Sequence, residues 1–166
     1  PPNGQPPAGE GSVSYLVRPR PGLPTGTRID AQARIVFDTN PPIDTPAIFN
    51  TLDVGTPTGQ VNPLPATIVG TSIPVSWSGA DEAGGSGVER FDVFVSEGGG
   101  PLRPFLTGTT QTSATFNGQV GRAYGFAVAA TDRVNHRGPT PTAPQATTRL
   151  VAPPAQAGQL QFSAAG

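Results

Sequence analysis

Four oxygen-bearing side chains in the chain have the types and placement to hold a metal ion. Asp81 and Glu82 lie in one glycine-rich segment, and Asp132 and Asn135 lie in a later polar one. If the strands between them form two packed sheets, both segments are loops at the same end of the molecule. Hard oxygen ligands suit Ca²⁺, which takes about six to eight of them. We therefore predict a calcium site from these four residues. In the alternative, Asp81 and Asp132 cap turns by hydrogen bonds to the backbone.

A second oxygen-rich group lies nearer the start of the chain, at Asp38, Asn40, Asp44 and Asp53. Prolines at 41, 42 and 46 stiffen the same stretch. Asp and Asn beside prolines are typical turn formers, because their side chains bond to nearby backbone groups. The sequence therefore favours turns over metal ligation here.

Catalytic patterns are lacking. His136 is the single histidine, there is no cysteine, and no G-x-S-x-G elbow is present. The loop that contains His136 is flanked by Gly and Pro, which favours a solvated side chain for this histidine. The glycine run 98–100 lacks the Lys and the strand–loop–helix setting of a phosphate-binding loop, and predicts a hairpin turn. We expect no enzyme activity and no cofactor other than Ca²⁺.

Aromatic residues offer one more candidate site, a strip that binds carbohydrate. Its members would be Trp77, Phe91, Tyr124 and Phe126. Their spacing and strand faces favour a buried core instead. Exposure of Trp77 or Tyr124 to solvent would favour carbohydrate binding.

Composition indicates an all-β protein. The 166 residues include 22 Gly and 21 Pro, which disfavour long helices, while Val, Ile, Phe and Thr alternate between the turns. The net charge is −1, and the ten basic residues are scattered arginines, so a nucleic-acid surface is not expected. No apolar run reaches the roughly 18 residues of a membrane span. The chain opens on PPNGQPPAGEG, without the charged and apolar regions of a signal peptide, so we expect a processed chain or an internal piece of a longer one.

The elements that must position these residues are short strands. Alternation predicts extended segments at 12–18 and 27–37, and then strands at 71–79, 88–97, 101–108, 112–116, 122–132 and 143–151. Short strands with turns every 8 to 12 residues or so are typical of an immunoglobulin-like or fibronectin-type sandwich. The predicted organisation is a flexible lead (1–11), terminal strands of a partial β domain (12–54), a linker (55–62), the sandwich (63–150), and a linker with the start of a next repeat (151–166).

The central unit resembles bacterial fibronectin type III-like modules over residues 63–150. The likeness rests on Trp77, Phe91 and the run YGFAVAATD that ends at Asp132. It implies a Trp and a Tyr packed between two sheets. The family commonly continues its last loop as ATDxxGN, whereas this chain has Arg133 to His136 without that Gly.

The ends resemble other repeats. Residues 26–45, GTRIDAQARIVFDTNPPIDT, are similar to the closing strands of immunoglobulin-like repeats of bacterial surface proteins. The final LQFSAAG resembles the first strand of a Calx-β repeat. These likenesses imply that residues 33–53 form a terminal strand followed by an interdomain connector.

The function that these resemblances imply is a noncatalytic spacer, scaffold or adhesive element of a large secreted or surface protein of a bacterium. Expected partners are other protein chains, including copies of this one, since open edges of an incomplete first sheet can accept a strand from a neighbour. The alternative is a carbohydrate-binding accessory module of a secreted hydrolase, with polysaccharide as its partner.

Overall fold

The computed structural model describes Ser14 and residues 16–155, and within them the regular secondary structure is β-strand alone. In that part of the chain no helix has the length and apolar character needed to cross a membrane. The strands are β1 (Arg28–Ala31), β2 (Arg34–Ile35), β3 (Ile43–Asp44), β4 (Ile48–Thr51), β5 (Thr58–Val61), β6 (Thr67–Val69), β7 (Ser72–Ala80), β8 (Val88–Glu97), β9 (Arg103–Thr109), β10 (Ser113–Asn117), β11 (Ala123–Asp132) and β12 (Ala146–Val151).

Strands β5 to β12 form a sandwich of two sheets. One sheet has the order β10-β7-β5 and the other has the order β6-β12-β11-β8-β9. Every pair of neighbours is antiparallel except β6 and β12, which run parallel. The all-β, immunoglobulin-like or fibronectin-type sandwich predicted from the sequence is confirmed. The Pro-containing strand β9 lies at a sheet edge, where a missing backbone N–H costs least.

The core follows from residues that alternate along facing strands. On β7, Ile73, Val75 and Trp77 point between the sheets and are at most 2% exposed. On β8, Phe91 and Val93 meet them from the other sheet. The rings of Trp77 and Phe91 pack edge to face, with centroids 6.5 Å apart, which is a favoured aromatic geometry.

Strand β11 is buried on both faces. Its nine residues from Tyr124 onward are all buried, and three of them are alanines. The second face is tightly covered at Gly125, where an added Cβ would lie 2.6 Å from Pro144 and 2.9 Å from the Ser96 hydroxyl. Small side chains therefore let the chain before β12 close over this strand.

Strands β1 to β4 form two short two-stranded sheets ahead of the sandwich, which together we call the ribbon. β1 pairs with β4 and β2 pairs with β3, both antiparallel. The predicted alternation of 27–37 holds from Ile29 to Ala33, whose side chains are half-buried. It is lost afterwards, because Ile35 and Phe37 are 39% and 59% exposed. The chain reverses at Asp38, which has a positive φ of 50°.

Several predicted boundaries differ from the structure. Ser14 and residues 16–18, the described part of the strand predicted at 12–18, lie outside any strand. Residues 33–53 were predicted to be a terminal strand followed by an interdomain connector. Instead, β3 and β4 within this stretch fold back and pair with β2 and β1. β5 lies inside the segment 55–62 that was predicted as a linker. The lead at 1–11 and the Calx-β-like strand at 160–166 fall outside the described residues.

Candidate functional site

Three segments meet at one end of the sandwich. They are the connector between β4 and β5 (residues 52–57), the β7–β8 loop (81–87) and the β11–β12 loop (133–145). The two loops share this end because β8 and β11 are antiparallel, with Asp132 opposite Val88. We call this meeting point the joint, since it joins the ribbon to the sandwich.

Glu82 fastens the connector to the sandwich. Its Oε1 accepts hydrogen bonds from the Thr25 hydroxyl at 2.7 Å and from the Gly55 amide at 2.8 Å. The approach is so close that a Cβ on Gly55 would lie 2.0 Å from the same carboxylate. A Cβ on Gly138 would likewise lie 2.1 Å from the carbonyl oxygen of Pro57. Glycines at these two positions therefore allow the connector to touch both loops.

Asp81 caps its own loop. Its Oδ2 accepts from the Gly87 amide at 2.7 Å, and its Oδ1 accepts from the Glu82 amide at 3.1 Å. Asp132 does the same for the β11–β12 loop, where Oδ1 accepts from the amides of Val134 at 2.9 Å and His136 at 2.8 Å. These hydrogen bonds are the ones expected if Asp81 and Asp132 cap turns. They occupy both carboxylate oxygens of Asp81 but only one of Asp132.

Asp53 and His136 complete the polar cluster. The imidazole Nδ1 of His136 lies 3.2 Å from Oδ2 of Asp132 and 3.9 Å from Oδ1 of Asp53. The Asp132 and Asp53 side chains are only 0% and 4% exposed. His136 differs from the solvated side chain predicted, because its ring is 37% exposed but its Nδ1 is buried. Asp53 is the residue that the connector contributes.

The electrostatics at Asp53 favour its ionised form. The hydroxyl and then the amide of Ser86 lower the pKa of Asp53, and burial opposes them more weakly. The amide bond to Oδ2 is well formed at 2.6 Å, whereas the Ser86 hydroxyl forms no hydrogen bond of good geometry, so the amide is the main cause of the lowered pKa. An ionised carboxylate thus lies at the centre of the joint.

Two clusters with metal-ligand chemistry result, and both include Asp53. One combines it with Asp132 and His136, and the other with Asp81 and Glu82. Within each cluster the ligand atoms lie within 4.8 Å of one another. Asn135 is not brought in, because its Oδ1 accepts from Nη2 of Arg90 at 2.8 Å. Calcium bound by the four residues named from the sequence stays a prediction.

The second oxygen-rich group is not gathered into a site. Asp38 and Asn40 lie in the turn of the ribbon, where the Asn40 amide donates to the carbonyl of Phe37. Asp44 pairs with Arg34, at 2.7 Å, and this bond lowers the pKa of Asp44. Asp53 alone reaches the joint.

The aromatic residues proposed as a carbohydrate strip lie in the core. Trp77 and Tyr124 are 2% and 4% exposed, and Phe91 and Phe126 are buried beside them. The Tyr124 hydroxyl accepts from the Gln119 amide at 2.9 Å, which satisfies its polar end. The exposure that would favour carbohydrate binding is absent from this set. The glycine run at 98–100 forms the turn between β8 and β9, with positive φ at Gly98 and Gly99.

The chain has been compared with known proteins. A family described as a domain of unknown function (DUF7619) matches residues 1–51. No curated protein matches the chain. Among solved structures, it is similar to the fibronectin(III)-like modules of Clostridium thermocellum CbhA, with 11% identity and a TM-score of 0.45 over 84% of this chain and 68% of that one. The assignment of the fold rests on the strand order described above.

Proposed function

We propose that this chain is a noncatalytic structural module, a spacer or scaffold, of a large bacterial protein that acts outside the cell. The observation that supports this function is the joint. A six-residue connector that contacts two loops of the sandwich fixes the direction in which the chain enters it. A module with a fixed entry direction transmits position from one unit to the next.

The contacts at the joint are of the kind that resist bending. The carboxylate of Glu82 accepts two hydrogen bonds across the joint, and bonds to charged groups are each worth about 1.5–3 kcal/mol. Asp53 adds a third contact through the Ser86 amide. Pro57, which is fully buried, restricts the backbone where the connector enters β5. The joint is therefore expected to behave as a semi-rigid spacer element.

Replacing Glu82 with alanine is expected to loosen the joint without unfolding the sandwich. The variant removes the acceptor for Thr25 and Gly55 but leaves the buried core intact. Because the chain has no cysteine, spin labels can be attached through cysteines placed at the exposed positions Asn50 and Thr115. Double electron–electron resonance in the presence of a chelator should give a narrow distance distribution for the parent and a broad one for Glu82→Ala.

The matched control is Glu97→Ala, which removes an exposed glutamate at the far end of β8. It should leave the distance distribution unchanged. A broad distribution in the unmodified chain, or equal distributions for parent and Glu82→Ala, would contradict a rigid joint and the spacer function that rests on it.

The ribbon supports a further part of this function, which is association with a second copy. Within the described residues each of its strands has one neighbour, so each has an unpaired edge. Its apolar side chains at Ile43, Ile48 and Phe49 are each more than half exposed. Free edges beside apolar surface favour addition of a strand from another chain.

Sedimentation velocity should therefore show association that increases with concentration. A proline at Thr51 removes a backbone donor from the free edge of β4, because the next amide, that of Leu52, is the one that donates to Thr27 beside β1. It should weaken this association if β4 is the edge used. A compact monomer at the highest accessible concentration would argue against strand exchange, while leaving the spacer function intact.

A further inference from the structure

Five buried side-chain atoms at the joint have no hydrogen-bond partner, and two of them are Oε2 of Glu82 and the Ser86 hydroxyl. The other three form one cluster, which consists of Oδ1 of Asp53, Oδ2 of Asp132 and Nδ1 of His136. The other oxygen of each carboxylate is fully engaged with backbone amides. Buried charged oxygens without a partner are costly, and two like charges placed close together raise that cost. Something with positive charge is needed among these three atoms.

The imidazole does not meet this need by hydrogen bonding. Nδ1 of His136 lies 3.2 Å from Oδ2 of Asp132, yet the pair lacks the alignment of a hydrogen bond. The separation from Oδ1 of Asp53, at 3.9 Å, is too long for one. The ligand atoms of the three residues instead lie within 4.8 Å of one another, which is close enough for them to share one ion.

We infer that Asp53, Asp132 and His136 bind one divalent transition-metal ion of the Zn²⁺ type, which ties the connector to the β11–β12 loop. Imidazole nitrogen and carboxylate oxygen are both ligand types that Zn²⁺ takes, with bonds of about 2.0–2.2 Å. In a tetrahedral arrangement such bonds place neighbouring ligand atoms about 3.4 Å apart. The 3.2 Å and 3.9 Å separations bracket that value.

The donor set also argues for Zn²⁺ over Ca²⁺ at this place. Ca²⁺ requires about six to eight oxygens, whereas imidazole nitrogen suits transition metals. Both oxygens of Asp81 and one oxygen of Glu82 are already bonded to protein donors. Oε2 of Glu82 is also free, but it belongs to the cluster with Asp81. Three free donors in the cluster with His136, whose ring is 37% exposed, suit a small coordination number.

The positions of the three ligands give the ion a structural role. Asp53 belongs to the connector, while Asp132 and His136 flank the start of the β11–β12 loop. An ion bound by all three therefore joins two segments that are far apart in sequence. This site is independent of the Glu82 contacts, so its absence would leave the rigid joint standing.

Because His136 is the single histidine in the sequence, Zn²⁺ binding to an imidazole can be followed at one side chain. The 166-residue chain, prepared without a histidine tag and stripped with a chelator, is labelled with ¹⁵N and titrated with ZnCl₂. We expect one equivalent to bind by calorimetry and the Nδ1 resonance of His136, rather than Nε2, to show the large shift of a metal-bound nitrogen. Because this measurement uses the unmodified chain, it does not depend on a variant that folds.

Variants then test two of the three ligands, one carboxylate and the imidazole. Asp53→Asn and His136→Gln should each weaken Zn²⁺ binding by at least about 10-fold. Asp30→Asn, an exposed aspartate of the ribbon, is the matched control and should bind as the parent does. Near-ultraviolet circular dichroism from Trp77 checks that each variant is folded.

Three results would overturn the assignment. The first is the absence of stoichiometric Zn²⁺ binding; if both ring nitrogens are then protonated at neutral pH, His136 itself is the cation. The second is a shift at Nε2 alone. The third is binding of Ca²⁺ but not Zn²⁺ that His136→Gln leaves unchanged, which would favour the oxygen-only site predicted from the sequence.

Discussion

Replacing Trp77 with alanine is expected to lower the free energy of unfolding by about 3–5 kcal/mol, the range for removing a large aromatic side chain from a packed core. Trp77 is 2% exposed, lies on the central strand of its sheet and packs edge to face on Phe91. The loss combines the apolar area returned to water with the cavity that remains. Urea denaturation followed by far-ultraviolet circular dichroism measures it.

The control for this prediction is Trp77→Phe. The indole Nε1 is buried without a hydrogen-bond partner, so phenylalanine loses ring volume but also removes an unsatisfied donor. Its cost should be clearly smaller than that of alanine. If Trp77→Ala instead left stability unchanged and abolished binding to a polysaccharide, Trp77 would be a surface ligand and the sandwich core would be wrongly placed.

Replacing Asp132 with alanine is expected to cost about 2–3 kcal/mol, measured in a chelator so that no metal contributes. Oδ1 of Asp132 accepts from two backbone amides that begin the β11–β12 loop, and the side chain is completely buried. Removing the acceptor leaves two backbone donors without a partner beside a completely buried position, and bonds to a charged group are among the stronger ones. The same urea titration, followed by Trp77 fluorescence, reports the loss.

Asparagine at the same position separates capping from charge. Asp132→Asn keeps an oxygen acceptor for the two amides while it removes the buried negative charge near Asp53. Its stability in the chelator should be close to that of the parent. Equal losses for the alanine and asparagine variants would show that charge, and not capping, is what Asp132 contributes.

The strands of the sandwich could be predicted from the sequence wherever alternation runs long enough. β8 was predicted at 88–97 with its observed ends, and the apolar face of β7 followed from Ile73, Val75 and Trp77. β5 was missed because its four residues include Gly59 and place a single apolar side chain, Val61, in the core. A strand this short is specified by its neighbours rather than by its own pattern.

The site was only partly predictable, for a different reason. Asp81, Glu82 and Asp132 could be named because loops of a sandwich cluster at its ends. Asn135 was a reasonable fourth member, but its positive φ of 71° and its bond to Arg90 take it elsewhere. Asp53 lies far from the loops in sequence, and only the folding of the connector onto them brings it to Asp132 and His136.

The parallel pairing of β6 with β12 determines how the sandwich would respond to tension. β12 runs from the joint towards the opposite end, and β6 runs the same way beside it. Pulling on the two ends of the module draws β6 back towards the joint and β12 away from it, so their hydrogen bonds are sheared together instead of opening one after another. Resistance to the load carried past β5 would therefore depend on two short strands, Thr67–Val69 and Ala146–Val151.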